Sequence, residues 1–224
     1  MSKTVNIWQT IDRLVVRSAP AEGLFNPYQN HHTEWDRPDA VAIRIQNLRL
    51  YLDDHEKGRE NGSIPVFLLM EAPGPWGCRF SGVPITSEAQ LTDPSFPGSG
   101  RQSTTRAEPF SEYSASIYWR ILAPYWKSLF TWNTVPMHPF HLGKPDSIRT
   151  PKQSEINTFL PVLEQIVEWA QPKRILAVGR KAENALSRIS VEADYIRHPS
   201  QGGSKIFEDG VRRVIHEMGI EPDE

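Results

Sequence analysis

Apolar positions along the chain follow two rhythms. After Asp36-Arg37-Pro38-Asp39, which reads as a helix start, Val41, Ile45, Leu48 and Leu52 recur at intervals of four, three and four. This spacing predicts an amphipathic helix of about four turns. Thr150-Pro151-Lys152-Gln153 reads as a capping box with proline in the first helical position. Ile156, Phe159, Leu160, Leu163, Ile166, Val167 and Ala170 then mark one face of a helix that Pro161 should bend. Further helices are expected from a Ser111 cap through Trp119 and Leu122, over Lys181–Ile189, and over Val211–Met218. The other rhythm is unbroken. Ile64 to Met70 is a continuous apolar run of strand length, and Ser128 to Trp132, Arg174 to Val178 and Asp194 to Arg197 are shorter strand-like segments.

Strands alternating with helices imply a parallel sheet covered on both faces, with right-handed crossovers. Ligands bind such sheets beyond the carboxyl ends of the strands. Three of the expected strands run into polar residues there: Glu71 before Pro73 and Gly74, Asn133, and His198 before Ser200. Gly58 to Ser63 reads as a turn, and Pro136, Pro139 and Pro145 make the stretch after Asn133 irregular. Gln90 to Phe110 is rich in Pro, Ser, Thr and Gly and has no period, so it reads as a long loop inserted into a single domain spanning residues 1–224.

Composition narrows the picture by exclusion. A net charge of −2 over 224 residues offers no global attraction for nucleic acid, so contact with DNA would rest on local donors. The single cysteine, Cys78, excludes a disulfide framework, a cysteine-rich zinc site and a four-cysteine iron-sulfur cluster built within one chain. No apolar run approaches the roughly 20 residues of a membrane span, and Asp12, Arg13 and Arg17 interrupt the first twenty residues, unlike a signal peptide. A cytoplasmic monomer is expected.

Glu71-Ala72-Pro73-Gly74 after an apolar strand resembles the first motif of the uracil-DNA glycosylase superfamily, and His198-Pro199-Ser200 resembles the last. Asn133, ending Phe130-Thr131-Trp132-Asn133, is similar to the family's base-reading asparagine. The resemblance runs from about Pro65 to Phe207. It implies a three-layer α/β/α domain with a four-stranded parallel sheet, DNA as partner, no cofactor, and hydrolysis without a covalent lysine intermediate. Asn133, with an amide that both donates and accepts, suits the Watson-Crick edge of a flipped pyrimidine and matches uracil or cytosine according to its orientation. Breaking an N-glycosidic bond develops positive charge on the sugar and negative charge on the base. His198 is the expected donor to the base oxygen, and Glu71 the expected group for orienting water and stabilising the sugar.

Departures from the family pattern bear on the substrate. Ala72 stands where the best-known branch has an aspartate. Gly74 stands where the uracil-specific branch has a tyrosine that blocks substituents at C5, and Ile85 lies near the place of a stacking phenylalanine. Both of these last changes are expected to enlarge the pocket for a 5-substituted pyrimidine, including bulky viral cytosine derivatives, for which the role would be antiviral defence rather than repair. Ser200-Gln201-Gly202-Gly203-Ser204-Lys205 resembles the loop that enters the minor groove; together with Pro73 it supplies the expected DNA contacts, with Gln201 as the wedge candidate and Lys205 as a cation for phosphate.

Other residues carry weaker signals. His138, His141 and His198 lack the accompanying ligands and helical placement of a zinc site. Gly179-Arg180-Lys181 fits a strand-to-helix turn better than a phosphate loop. Arg101 and Arg106, like Arg212 and Arg213, are by default solvated, with the first pair placed to close over DNA if its loop moves. Three readings therefore stand: a uracil glycosylase, a glycosylase for another modified pyrimidine, and a noncatalytic DNA-binding protein, to which Ala72 lends some support.

Overall fold

The computed structural model describes residues 6–19, 21–59 and 62–223. The expected Gly58–Ser63 turn lies partly outside these residues, as do residues 1–5 and 20 of the stretch read against a leader peptide. A short helix α1 (Ile7–Ile11) runs into a π-helical turn at Asp12–Val16, and a two-residue strand β1 (Leu24–Phe25) precedes the long helix α2 (Ala40–Gly58). The buried face of α2 carries Ile43, Leu48, Tyr51 and Leu52, but also Arg44, Asn47 and His55. Val41 and Ile45 are only partly covered. Arg44 and Asn47 hold part of that face because they have partners. Arg44 forms a bidentate pair with Asp36 at 3.0 and 2.9 Å and donates to the carbonyls of Pro27 and Asn30.

Strand β2 (Val66–Met70) is buried along its whole length. Two single turns follow, α3 (Cys78–Ser81) and α4 (Glu88–Leu91), and then α5 (Tyr113–Leu122), which tightens into a 3-10 segment at Ala123–Ser128. Next come β3 (Leu129–Asn133), β4 (His138–Pro139), α6 (Gln153–Ala170), β5 (Arg174–Val178), α7 (Arg180–Arg188), β6 (Asp194–Ile196) and α8 (Ser204–Glu217). The four long strands form a parallel sheet in the order β3-β2-β5-β6, and β1 pairs antiparallel with β4 apart from it. Helices cover the sheet in a three-layer α/β/α arrangement, as expected: α1, α6 and α7 pack on one another, and α5 meets α8 through Tyr118 and Phe207. Phe67, Leu68 and Leu69 of the central strand are fully enclosed, each contributing about 1.5–3 kcal/mol by burial.

β3 is an edge strand, so its outer backbone groups have no ladder partner. Tyr51 closes that gap. Its hydroxyl accepts the Thr131 N–H at 2.8 Å and donates to the Thr131 carbonyl at 2.9 Å. Three helix starts differ from the sequence reading. α5 begins after Glu112 rather than at Ser111, and α6 begins after Lys152, whose N–H is capped by Glu155 at 2.7 Å. α8 begins at Ser204, seven residues before Val211. Its early turns carry Glu208, Asp209 and Gly210, which break the apolar pattern and hid the start.

The 90–110 segment is pinned rather than free-standing. The buried Glu88 carboxylate accepts from the Ser103 N–H at 2.7 Å, the Thr104 N–H at 3.0 Å, the Thr104 hydroxyl at 2.7 Å and the Phe110 N–H at 3.3 Å. Asn47 brackets Arg101 from both sides, donating to its carbonyl at 2.9 Å and accepting its N–H at 2.8 Å. Arg101 also reaches Gln46, and Arg106 lies over the Trp35 and Phe110 rings, so both arginines are engaged by the protein itself.

Candidate active site

Parallel register places the three polar strand ends along one rim of the sheet. Met70 pairs with Asn133 across β2 and β3, and Val178 with Ile196 across β5 and β6. Along the rim stand Asn133 at the end of β3, Glu71 just past β2, Gly179 just past β5 and His198 two residues past β6, on strands about 4.8 Å apart. Beyond the last ladder bonds, the Thr134 N–H and hydroxyl both donate to the Met70 carbonyl at 2.8 Å, and the Val135 N–H donates to that of Glu71 at 3.0 Å. These bonds hold the chain on both sides of the Glu71 to Asn133 step.

Glu71 is partly buried, and loss of water raises its carboxyl above the ordinary glutamate value, opposed by the charge of Lys181. Ala72 beside it packs against the core. Pro73 is buried, and its carbonyl lies 2.9 Å from His138 Nδ1. The Nε2 of His138 faces the Ser147 carbonyl at 3.0 Å. Burial holds His138 down to about 4, against the pull of these carbonyls and with Arg79 adding to the depression. With both nitrogens turned to carbonyls, His138 positions the Pro73 turn and is not offered to a metal. Among the described residues no group of three or more His, Cys, Asp or Glu is placed to hold one.

His198 has a defined tautomer. The Ser200 backbone N–H, which can only donate, points at Nδ1 from 3.2 Å, and the Ser200 hydroxyl lies 2.8 Å from the same nitrogen. Nδ1 therefore accepts, and the ring proton sits on Nε2. Burial, with Arg197 adding to it, lowers the ring's proton affinity and keeps it neutral. Gly179, at φ 93°, lies beneath: a Cβ there would stand 3.9 Å from that of His198. The following turn has left-handed φ at both Gln201 (51°) and Gly202 (76°), with the Gly203 N–H returning to the Ser200 carbonyl at 3.0 Å. This is the φ pattern of a type I′ turn. A Cβ on Gly203 would meet the His198 carbonyl at 2.0 Å, so glycine is required there. Gln201 and Gly202 are exposed at the apex. Ser204 and Lys205 belong to the first turn of α8 rather than to a loop, and Lys205 is paired with Asp209 at 2.8 Å.

Asn133 is buried, and its only side-chain hydrogen bond among the described residues is a long one, from Nδ2 to Cys78 Sγ at 3.7 Å. Sulfur is a weak acceptor, so the amide is held without being spent. Burial pushes the Cys78 thiol up, and the nearby charge of Glu112 pushes it further, so it stays protonated. Ile85 is buried in the core with φ 50°, an unfavourable backbone for a β-branched residue, and its carbonyl accepts from Trp119 Nε1 at 3.0 Å.

Gly74 corrects the sequence reading. The volume that a side chain would take there is not open, because the Glu112 carboxylate fills it: a Cβ on Gly74 would lie 2.1 Å from Oε2. Exchange of a tyrosine for glycine has thus not enlarged the pocket at this point; it admits an acidic group from the start of α5. Glu112 and Cys78 went unrecognised in the sequence as site residues. The one signal for them is the paired glycines, Gly74 and Gly77, both of which face Glu112.

A family model described as the uracil DNA glycosylase superfamily matches residues 97–217, more than half of the chain. The search of curated proteins gives no match. Among solved structures, the chain is similar to the crystal structure of wild-type Pedobacter heparinus SMUG2, with a TM-score of 0.60 at 13% identity, over 95% of this chain and 98% of that one. At that identity the likeness is one of fold.

Proposed function

Since the chain belongs to the uracil DNA glycosylase superfamily, we propose that it is a monofunctional DNA glycosylase that flips uracil or another modified pyrimidine from DNA and hydrolyses its N-glycosidic bond. The observation that carries this reading is the neutral His198 with its proton fixed on Nε2, on the same rim as Glu71 and Asn133. Asn133 binds the N3 edge and the C4 substituent of the flipped base. The cost of unstacking is offset by those contacts.

As the C1′–N1 bond breaks, its electron pair leaves with the base, and His198 Nε2–H donates to the base oxygen on which the charge accumulates. A neutral donor does this without first surrendering a proton to solvent. Glu71 faces the sugar, where its negative charge stabilises the oxocarbenium ion and orients the water that adds to C1′; the proton this water releases to solvent is balanced by the one the departed base anion takes up. Ala72 leaves this task to Glu71 alone. The Ser200–Gly203 turn, with exposed Gln201 and Gly202, follows the minor groove, while the Pro73 turn and Lys205 approach the backbone. Lys205 exchanges Asp209 for phosphate at little cost, since both side chains of that pair are exposed and screened by water.

Oligonucleotide duplexes carrying uracil or a 5-modified pyrimidine, followed by alkaline cleavage and mass analysis of the released base, test the proposal. Asn133→Ala and His198→Ala are each expected to slow release by about 10²–10³-fold. An undiminished rate in either variant overturns the assigned site.

A further inference from the structure

The Glu112 carboxylate sits where the protein has cleared space for it. Gly74 and Gly77 are both bare beneath it: a Cβ on the first would lie 2.1 Å from Oε2, and one on the second 2.9 Å. The group is also oriented. Oε2 accepts the Trp76 backbone N–H at 3.2 Å, and Oε1 accepts the Ser114 hydroxyl at 2.8 Å. Cys78 lies close enough to feel the charge, and its thiol reaches the Asn133 amide. The Asn133 amide, the Cys78 thiol and the Glu112 carboxylate thus cluster at the Gly74–Cys78 turn.

We propose that Glu112 is a specificity-determining residue, selecting pyrimidines that carry a hydrogen-bond donor on the C4–C5 edge: an exocyclic amine, or a hydroxyl on a C5 substituent. This rests on the glycosylase reading above. With Asn133 engaged at N3 and the C4 substituent, the neighbouring wall meets C4 and C5. A carboxylate only accepts. A donor brought against it forms a charge-assisted bond, whereas a methyl group strips its water and returns nothing. A site built around such a polar group rejects the analogue lacking the donor far more strongly than an apolar pocket rejects an extra group.

The test compares matched pairs: 5-hydroxymethyluracil with thymine for the hydroxyl, and cytosine with uracil for the amine. Single-turnover release is measured for the wild type, Glu112→Gln and Glu112→Asp, and binding is measured in parallel with 2′-fluorinated, uncleavable duplexes. In at least one pair the wild type is expected to favour the donor-bearing base by at least about tenfold. Glu112→Gln should collapse that ratio and Glu112→Asp should retain part of it. The pair that responds identifies the donor. A ratio unchanged by Glu112→Gln overturns the role of Glu112 even if base release is robust. Release from no duplex overturns the glycosylase reading, while the binding ratios still decide the selectivity; equal ratios in wild type and Glu112→Gln sink it there as well.

Discussion

At the scale of single residues, the site is defined by which groups are kept neutral and which charged. His198 accepts at Nδ1 from Ser200, and burial holds it neutral below the ordinary histidine range. Glu71 is moved the other way, its carboxyl raised by loss of water. Catalysis needs Glu71 ionised and His198 neutral. As pH falls, Glu71 takes up its proton above the ordinary value of about 4.3, and activity is lost through that limb. Any limb from the His198 ring should lie below the ordinary histidine value, because burial and Arg197 lower its proton affinity. A kcat/KM profile on whichever duplex is cleaved checks this; a limb above the ordinary histidine value that survives in Glu71→Asp would overturn the assignment of the neutral donor. Glu71, Asn133 and His198 were legible because strand ends mark them in a parallel sheet. Glu112 was not, since its role depends on empty volume over Gly74 and Gly77, which no periodicity records.

Among the elements, those buried on all sides were the most readable. β2 and β3 are enclosed throughout, so a run of apolar residues, broken in β3 only by Thr131, and a polar residue at its end define each. Segments ordered by polar contacts leave no such mark. The 90–110 segment has no period because much of what holds it is a single carboxylate, Glu88, which gathers donors from Ser103, Thr104 and Phe110, together with Asn47 on α2. The start of α8 was hidden by Glu208 and Asp209, half-buried and exposed respectively, which follow the buried Phe207. Removing an acceptor from several buried donors leaves each unpaired, at about 1–3 kcal/mol apiece. Glu88→Ala should therefore destabilise the fold by roughly 3–5 kcal/mol in urea unfolding. Glu88→Gln, which keeps one acceptor oxygen, should lose less. If Glu88→Ala unfolds at the wild-type midpoint, this segment is not held by the contacts described.

For the molecule as a whole, buried histidines make stability depend on pH in a direction that can be worked out. His55 lies among Tyr51, Trp126 and Phe130, with Nε2 unpartnered among the described residues, and burial lowers it to about 3. His138 is lowered to about 4, and His198 shifts the same way. Above about pH 6.5 folded and unfolded chains both hold these rings neutral, and the groups add no pH dependence. As pH falls through that value the unfolded chain binds protons that the folded one refuses until near 4 for His138 and near 3 for His55. Unfolding then takes up protons, so stability falls with pH, by about 1.4 kcal/mol per unit for each ring involved. Glu71 and Asp54, raised by burial, work in the opposite sense as pH falls toward 5, and comparing a histidine variant with the wild type between roughly pH 6 and 5 cancels them. His55→Phe suits the test: the ring enters an aromatic cluster and the change leaves no partner stranded. Urea unfolding across that window should show one fewer proton taken up in His55→Phe than in the wild type. An unchanged slope would mean that His55 is not carried into the fold uncharged, and that the end of α2 is more open to water than its packing against Trp126 and Phe130 implies.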